Sequence, residues 1–239
     1  EQSQAVLDGR DAALKAQKAA ASVRDLTPQL LAASAAVAKA MGPTRDAAVN
    51  SAFERFDLKA QAVEQDLSAL CGGRPARVMT SATAALELAL RIAGIGPGDE
   101  VITCAMSFFA SVNMIARVGA TPVFVDCDPA TRNLDLDAVE RRIGPRTRAT
   151  LPTHFAGLPC DMDRLYDIAR RHRLRVIEDA ALAIGSSRRG RRIGAFGDLV
   201  CFSFHPNKNI TTIEGGALIV NDADEARAVE RWRFHGIER

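Results

Sequence analysis

From Val63 onward the sequence alternates short β-branched and apolar runs with amphipathic stretches of helical period. That alternation most constrains the fold. It argues for βαβ units, and so for an α/β domain built on a mostly parallel sheet flanked by helices. The spacing predicts strands at Arg77–Thr80, Glu100–Thr103, Thr121–Val125, Ala149–Thr153, Leu174–Ile177, Leu199–Phe204 and Ala217–Val220. Between them it predicts helices near 83–93, 109–118, 135–142, 161–172 and 223–235. The breakers Gly94-Ile95-Gly96-Pro97-Gly98-Asp99 separate the first of these helices from the second strand. Arg188-Arg189-Gly190-Arg191-Arg192 reads as a hairpin tip, its charges solvated or, less simply, aimed at a substrate phosphate.

The first forty residues are different in texture, with 13 alanines among Lys, Gln and Asp. This is helix-forming composition. Asp25-Leu26-Thr27-Pro28 offers an N-cap and N1 proline for a second helix, which Gly42-Pro43 ends. Residues 1–58 are therefore expected to form a helical arm that packs on a partner or on the main domain, and 59–239 to form that domain.

A net charge of +2 gives no footing for a polyanion-binding protein. Cys71, Cys104, Cys127, Cys160 and Cys201 are odd in number and scattered, without CxxC or His-Cys ligand spacing, so neither a disulfide framework nor a metal site is expected. A reducing cytosol fits that usage. The sequence contains no apolar run of the ~18 residues that a membrane span needs, and it opens without a basic-then-apolar leader.

The chain uses 26 arginines and five lysines, and Lys208 is the one lysine after Lys59. A chain that meets its surface needs with arginine keeps a lysine where arginine fails: an amine that must lose its proton to attack a carbonyl. A plain surface lysine is the competing reading of the position taken alone. Asp179 stands at the C-terminal end of Val176-Ile177-Glu178-Asp179, where open α/β sheets bind ligands. A buried carboxylate there needs a cation, and a protonated pyridine nitrogen is one; a helix cap or structural ion pair is the alternative. Val78-Met79-Thr80-Ser81-Ala82-Thr83-Ala84-Ala85-Leu86 runs from strand to helix through small hydroxyl residues. Free N–H groups there suit a phosphate, with Ser81 or Thr83 adding a hydroxyl, although simple N-capping uses the same residues. Ser203 is placed to donate to the same phosphate. Phe108 offers a flat face to an aromatic cofactor or, as plainly, to the core. His154 and His205 lie at strand ends, within reach of substrate or of structural hydrogen bonds.

Together these segments resemble the large domain of the DegT/StrS nucleotide-sugar aminotransferases, a group of fold type I pyridoxal-phosphate (PLP) enzymes. The resemblance covers about residues 63–239. It is carried by T-S-A-T-A-A-L at 80–86, G-x-G-D-E-V-I-T at 96–103, G-A-T-P-V-F-V-D at 119–126, V-I-E-D-A-A at 176–181 and S-F-H-P-N-K-N-I-T-T-I-E-G-G at 203–216. Enzymes that aminate a 4-keto nucleotide sugar, including the 4-amino-arabinose type, are nearest in style.

The resemblance implies that Lys208 bonds covalently to PLP and then shuttles the substrate proton. It implies that Asp179 keeps the ring nitrogen protonated, that Ala82, Thr83 and Ser203 hold the phosphate, and that Phe108 stacks on the ring. It implies a nucleotide sugar and an amino donor as ligands, a homodimer, and no nucleic-acid, membrane or metal partner. Leu182 departs from the pattern, because relatives carry Gln or His there against the ring oxygen. The arm departs too, as does the end of the chain near Phe234-His235-Gly236-Ile237, where the family's small C-terminal domain begins. These departures leave a non-catalytic binding or regulatory protein on the same scaffold as the rival expectation.

Overall fold

The computed structural model describes residues 47–233. Of the expected arm, residues 1–46 lie outside that range. Helix α1, Ala47–Leu70, starts within the expected helical arm and runs on past residue 58, where the composition change puts the arm's end. Val63, Leu67 and Leu70 anchor its second half in the core.

The chain continues as β1 (Ala76–Met79), α2 (Ala82–Ile92), β2 (Glu100–Cys104), α3 (Phe109–Arg117), β3 (Thr121–Val125), α4 (Leu136–Arg142) and β4 (Thr147–Leu151). After a turn of 3-10 helix at Phe155–Gly157 come α5 (Met162–His172), β5 (Arg175–Asp179), β6 (Ser187–Arg188), β7 (Arg191–Arg192), β8 (Leu199–Ser203), β9 (Gly216–Ile219) and α6 (Ala223–Arg233). Seven strands form one sheet in the order β1-β9-β8-β5-β4-β2-β3. β9 runs antiparallel to β1 and β8, and the pairs β8–β5, β5–β4, β4–β2 and β2–β3 are parallel.

Both faces of this sheet are covered, which is why its strands read as nearly continuous apolar runs. One face packs on α1, α4 and α5 through residues such as Val139, Leu165, Val200 and Phe202. The other packs on α2, α3 and α6 through Leu86, Ile115, Leu199, Cys201 and Val229. The period-2 alternation of β8, with Val200 and Phe202 on one side and Leu199 and Cys201 on the other, carries both cores.

Two strand ends differ from expectation for identifiable reasons. β4 starts earlier and stops at Leu151 because Pro152 has no N–H to extend the ladder; only its carbonyl pairs onward, accepting from Asp179 N at 2.8 Å. β5 continues through Glu178 and Asp179, which pair with Val200 and Cys201, because both carboxylates find buried partners. The hairpin tip forms as expected, with Arg189 and Gly190 both at positive φ.

Asp198, at the entrance of β8, locks β5 to its neighbours. It accepts from Arg175 Nε and Nη2 at 2.7 Å each, from Val176 N at 3.0 Å and from Asn221 Nδ2 at 2.7 Å. Burial alone would raise its pKa, but the Arg175 fork and the other donors outweigh burial and hold the carboxyl below its usual range. A depressed folded-state value contributes stability that is present above the unfolded-state value and lost as pH falls through the folded one. Asp198→Asn is therefore expected to cost about 2–3 kcal/mol at neutral pH, and to flatten the acid limb of the pH–stability curve, in urea melts run across pH.

Candidate functional site

The parallel strands deliver their C-terminal ends to one edge, and the segments that leave them line a single cavity of about 990 Å³. Ser81–Thr83 follow β1, Ala105–Phe108 follow β2, and Asp126 and Cys127 follow β3. Thr153–Ala156 follow β4, Asp179–Leu182 end β5, and Ser203–Lys208 end β8. A crevice outside the carboxyl ends of the strands is where open α/β sheets take ligands. Ala82, Thr83, Phe108, Asp179, Leu182, Ser203 and Lys208, seven residues spread over 127 positions of sequence, all lie on its wall.

Asp179 and Glu178 are adjacent acids sent to opposite faces by the strand pleat. Glu178 points toward α5, where Tyr166 Oη donates to it at 2.6 Å and His154 Nε2 lies at 2.9 Å. It is wholly buried and engaged. Asp179 points toward α3 and the cavity. Ser111 Oγ donates to its Oδ2 at 2.6 Å and Ala181 N to its Oδ1 at 3.2 Å. With acceptor capacity of about four lone-pair sites, the carboxylate still has room for a cation.

Lys208 sits on the loop between β8 and β9, half-buried, with Nζ 5.9 Å from the centroid of the Phe108 ring. Phe108 is itself 58% exposed, so core packing is not its role. It precedes the first turn of α3 and leans on Phe109, ring centroids 4.0 Å apart. The Lys208 loop is tied down by Asn209 Nδ2, which donates to Ile184 O at 3.1 Å, and by Thr212 N, which donates to Phe204 O at 2.9 Å. Ile213 in the same loop has φ of 73°, a conformation that β-branched residues rarely adopt.

Beside that loop, free donors are brought together by close backbone approach. Ser81 caps α2, its Oγ accepting from Ala84 N at 3.1 Å. The N–H groups of Ala82 and Thr83 have no partner among the described residues. Gly216 pairs with Met79 on one side and Ser203 on the other. A Cβ on Gly216 would stand 2.4 Å from Ala82 N. The missing side chain is what lets the start of α2 and the end of β8 converge. Two free amides, the Thr83 hydroxyl and Ser203 make a donor set suited to phosphate. Leu182, by contrast, brings the cavity an apolar wall and no hydrogen bond.

Two other readings are settled by contacts. His154 is structural: buried, with Nδ1 accepting from Cys160 N at 3.1 Å. Arg188 pairs with Asp161 at 3.0 Å, Arg189 with Asp163 at 2.8 Å, and Arg191 with Asp163 at 3.6 Å and with the Phe196 ring. Arg188, Arg189 and Arg191 are thus spent on α5 and its N-terminus, away from the cavity wall. A second depression of about 810 Å³ lies between α1, β1 and α6, lined by Glu64, Arg77, Glu230 and Arg233. These four charges pair with one another.

Comparison with known proteins is consistent with this geometry. The model of the DegT/DnrJ/EryC1/StrS aminotransferase family matches residues 41–239. The chain belongs to that family. Its seven-stranded, mostly parallel sheet flanked by helices is the large-domain fold of DegT/DnrJ/EryC1/StrS aminotransferases. The chain is 47% identical over 175 residues to a GDP-perosamine synthase of Caulobacter vibrioides, an alignment covering 73% of this chain and 47% of that protein. The structure of S. venezuelae DesV in complex with a ketimine intermediate superposes with a TM-score of 0.73 at 42% identity, covering 75% of this chain and 49% of that one. The PLP form of the putative sugar aminotransferase Spr1654 from Streptococcus pneumoniae superposes with a TM-score of 0.67 at 36% identity, covering 72% and 48%. The chain spans about half the length of the relatives it matches.

Serines 107 and 111, Thr153 and Gly216 were not singled out from the sequence. A serine inside an amphipathic helix carries no signal of what it touches. Gly216 stood in the Gly-Gly pair, but a close approach to residues 134 positions earlier is visible only in three dimensions.

Proposed function

We propose that residues 59–239 form the cofactor-holding domain of a PLP-dependent aminotransferase that moves an amino group from a donor, glutamate, to a keto group of a nucleotide-linked sugar. The observation that supports it most is the placing of Lys208 and Asp179, 29 residues apart, on one cavity wall with the Phe108 ring between loop and helix. The family match and the PLP form of Spr1654 point the same way.

When bound, PLP supplies an electrophilic aldehyde and a ring that accepts the electron pair released when a neighbouring C–H bond breaks. The chain's own residues do the rest. Lys208 Nζ would be the nucleophile toward that aldehyde and, once displaced by the donor's amine, would take a proton from one carbon and return it to another. Asp179, oriented by Ser111 Oγ and Ala181 N, would face the ring nitrogen and hold the proton there. Ala82 and Thr83 amides, with Ser203 Oγ, would bind the phosphate and so anchor the group relative to Lys208. Phe108 would stack on the ring and exclude water. Leu182 would offer the ring oxygen no side-chain hydrogen bond.

A homodimer is part of this reading, supported by an apolar rim at the cavity mouth of Met106, Phe108, Phe109 and Ile213, all exposed. A cytoplasmic location is supported by five unpaired cysteines. Among the described residues no helix is long and apolar enough to cross a membrane.

Purified protein mixed with PLP is expected to show the visible absorbance band of a lysine-bound cofactor, and Lys208→Ala to lose it. An unchanged band would refute the assignment. Amino transfer from labelled glutamate separates an enzyme from a protein that merely holds PLP, since only the former generates 2-oxoglutarate.

A further inference from the structure

We propose that Ser111 is a positioning residue for the cofactor ring: with Ser107 and Thr153 it forms a chain of hydroxyls that ends on Asp179 and fixes how that carboxylate meets the ring nitrogen. The inference rests on the PLP reading above and adds residues that act through Asp179.

Each hydroxyl has one proton to give. Ser111 is fully buried, and its proton goes to Asp179 Oδ2 at 2.6 Å, because a carboxylate oxygen accepts. Its oxygen is then left to accept, and Ser107 Oγ stands at donating distance, 3.3 Å, with Phe108 O at 3.4 Å as a second acceptor for the same proton. Ser107 Oγ and Thr153 Oγ1 lie 2.8 Å apart, and either can donate. The three hydroxyls thus link the cavity wall, which Ser107 and Thr153 line, to the buried carboxylate. Chained donors polarise one another, so the last hydrogen bond is stronger than an isolated one.

The backbone holds both ends of the chain to Asp179. Thr153 sits in a parallel bridge with Asp179, flanked by Asp179 N donating to Pro152 O at 2.8 Å and His154 N donating to Asp179 O at 3.0 Å. Ser111 occupies the first turn of α3, its N–H donating to Phe108 O at 3.2 Å. One rigid turn thus carries the Phe108 ring at its start and the Asp179 donor at its end, coupling the stacking face to the ring-nitrogen partner. A buried serine at a helical position gives up some propensity relative to alanine, and a buried hydroxyl is costly unless bonded. Here the bond to Asp179 offsets both.

Without Ser111, Asp179 keeps only the Ala181 amide, and its charge is less well held where a protonated ring nitrogen must face it. The test uses the full chain, PLP, and three proteins: wild type, Ser111→Ala and Ser107→Ala. Retention of PLP on dilution, and the pH profile of the visible band, are read beside thermal melting. Ser111→Ala is expected to weaken PLP retention on the order of 10-fold or more and to shift the pH profile of the band, given the worth of a hydrogen bond to a charged group. Ser107→Ala is expected to move both readouts the same way by roughly 2–5-fold, as the more distant link. Wild-type retention and an unshifted profile in Ser111→Ala would overturn the proposal while leaving the PLP reading intact, as would a variant that changes only the melt. No band in the wild type would overturn both.

Discussion

Gly216→Ala is expected to lower the melting temperature by about 4–10 °C and to abolish measurable PLP retention. The added Cβ would lie 2.4 Å from Ala82 N and Ser81 C and 2.7 Å from Ser81 O. All three are backbone atoms, so no side chain can rotate away. The clash must be relieved by moving β9 or the start of α2, and overpacking of that kind costs about 1–3 kcal/mol, with roughly 2–4 °C lost per kcal/mol in a domain of this size. Either movement separates the Ala82 and Thr83 amides from Ser203, and the anion cradle depends on their convergence. Differential scanning calorimetry with and without PLP reads both effects. Unchanged melting together with unchanged retention would show that neither the close approach nor the cradle has been read correctly.

The elements that carry the site were legible where a residue type answered a chemical need visible in one dimension. Lys208 stood out because the chain otherwise uses arginine, and Asp179 because it closes an apolar strand. The Ser81–Thr83 turn was legible as a strand running into a helix through capping residues, and it proved ambiguous for the same reason. The structure divides the roles, giving Ser81 the cap and leaving the Ala82 and Thr83 amides to the cavity.

What stayed hidden depends on contacts distant in sequence. The spacing of apolar residues placed the end of β5 at Ile177, yet it runs on to Asp179, where Tyr166, His154 and Ser111 supply partners from elsewhere in the chain. Composition placed a boundary near residue 58, and α1 crosses it, since what anchors the helix is the spacing of Val63, Leu67 and Leu70 rather than its average composition. The positive φ of Ile213 runs against local preference altogether, and such conformations are held only by surroundings that over-determine them.

Glu178→Leu is expected to cost about 2–5 kcal/mol of stability, because it leaves two buried donors without an acceptor at roughly 1–3 kcal/mol each. The proton count around Glu178 shows why, and why even Glu178→Gln should cost about 2 kcal/mol. Tyr166 Oη accepts from Asp198 N at 2.6 Å, so its single proton is directed to Glu178 Oε1. Burial, with Glu178 adding to it, keeps that phenol protonated far above its ordinary range. For His154, burial works against an imidazolium and the Glu178 carboxylate works for it. The Cys160 amide decides the matter: it donates to Nδ1 at 3.1 Å and leaves no room for a proton there, so the ring is neutral and carries its proton on Nε2. Both groups facing Glu178 are then donors, and only a residue with two acceptor oxygens satisfies both. Glutamine sets an N–H against one of them, and the ring cannot switch tautomer without opposing Cys160 N. Leucine satisfies neither. Gly197 leaves no slack, since a Cβ there would already meet Glu178 Oε1 and Tyr166 Oη at 2.4 Å. Urea melts of the two variants should therefore rank wild type above Gln above Leu. A glutamine variant as stable as wild type would mean that His154 carries its proton elsewhere, and that the donors behind β5 are not arranged as described.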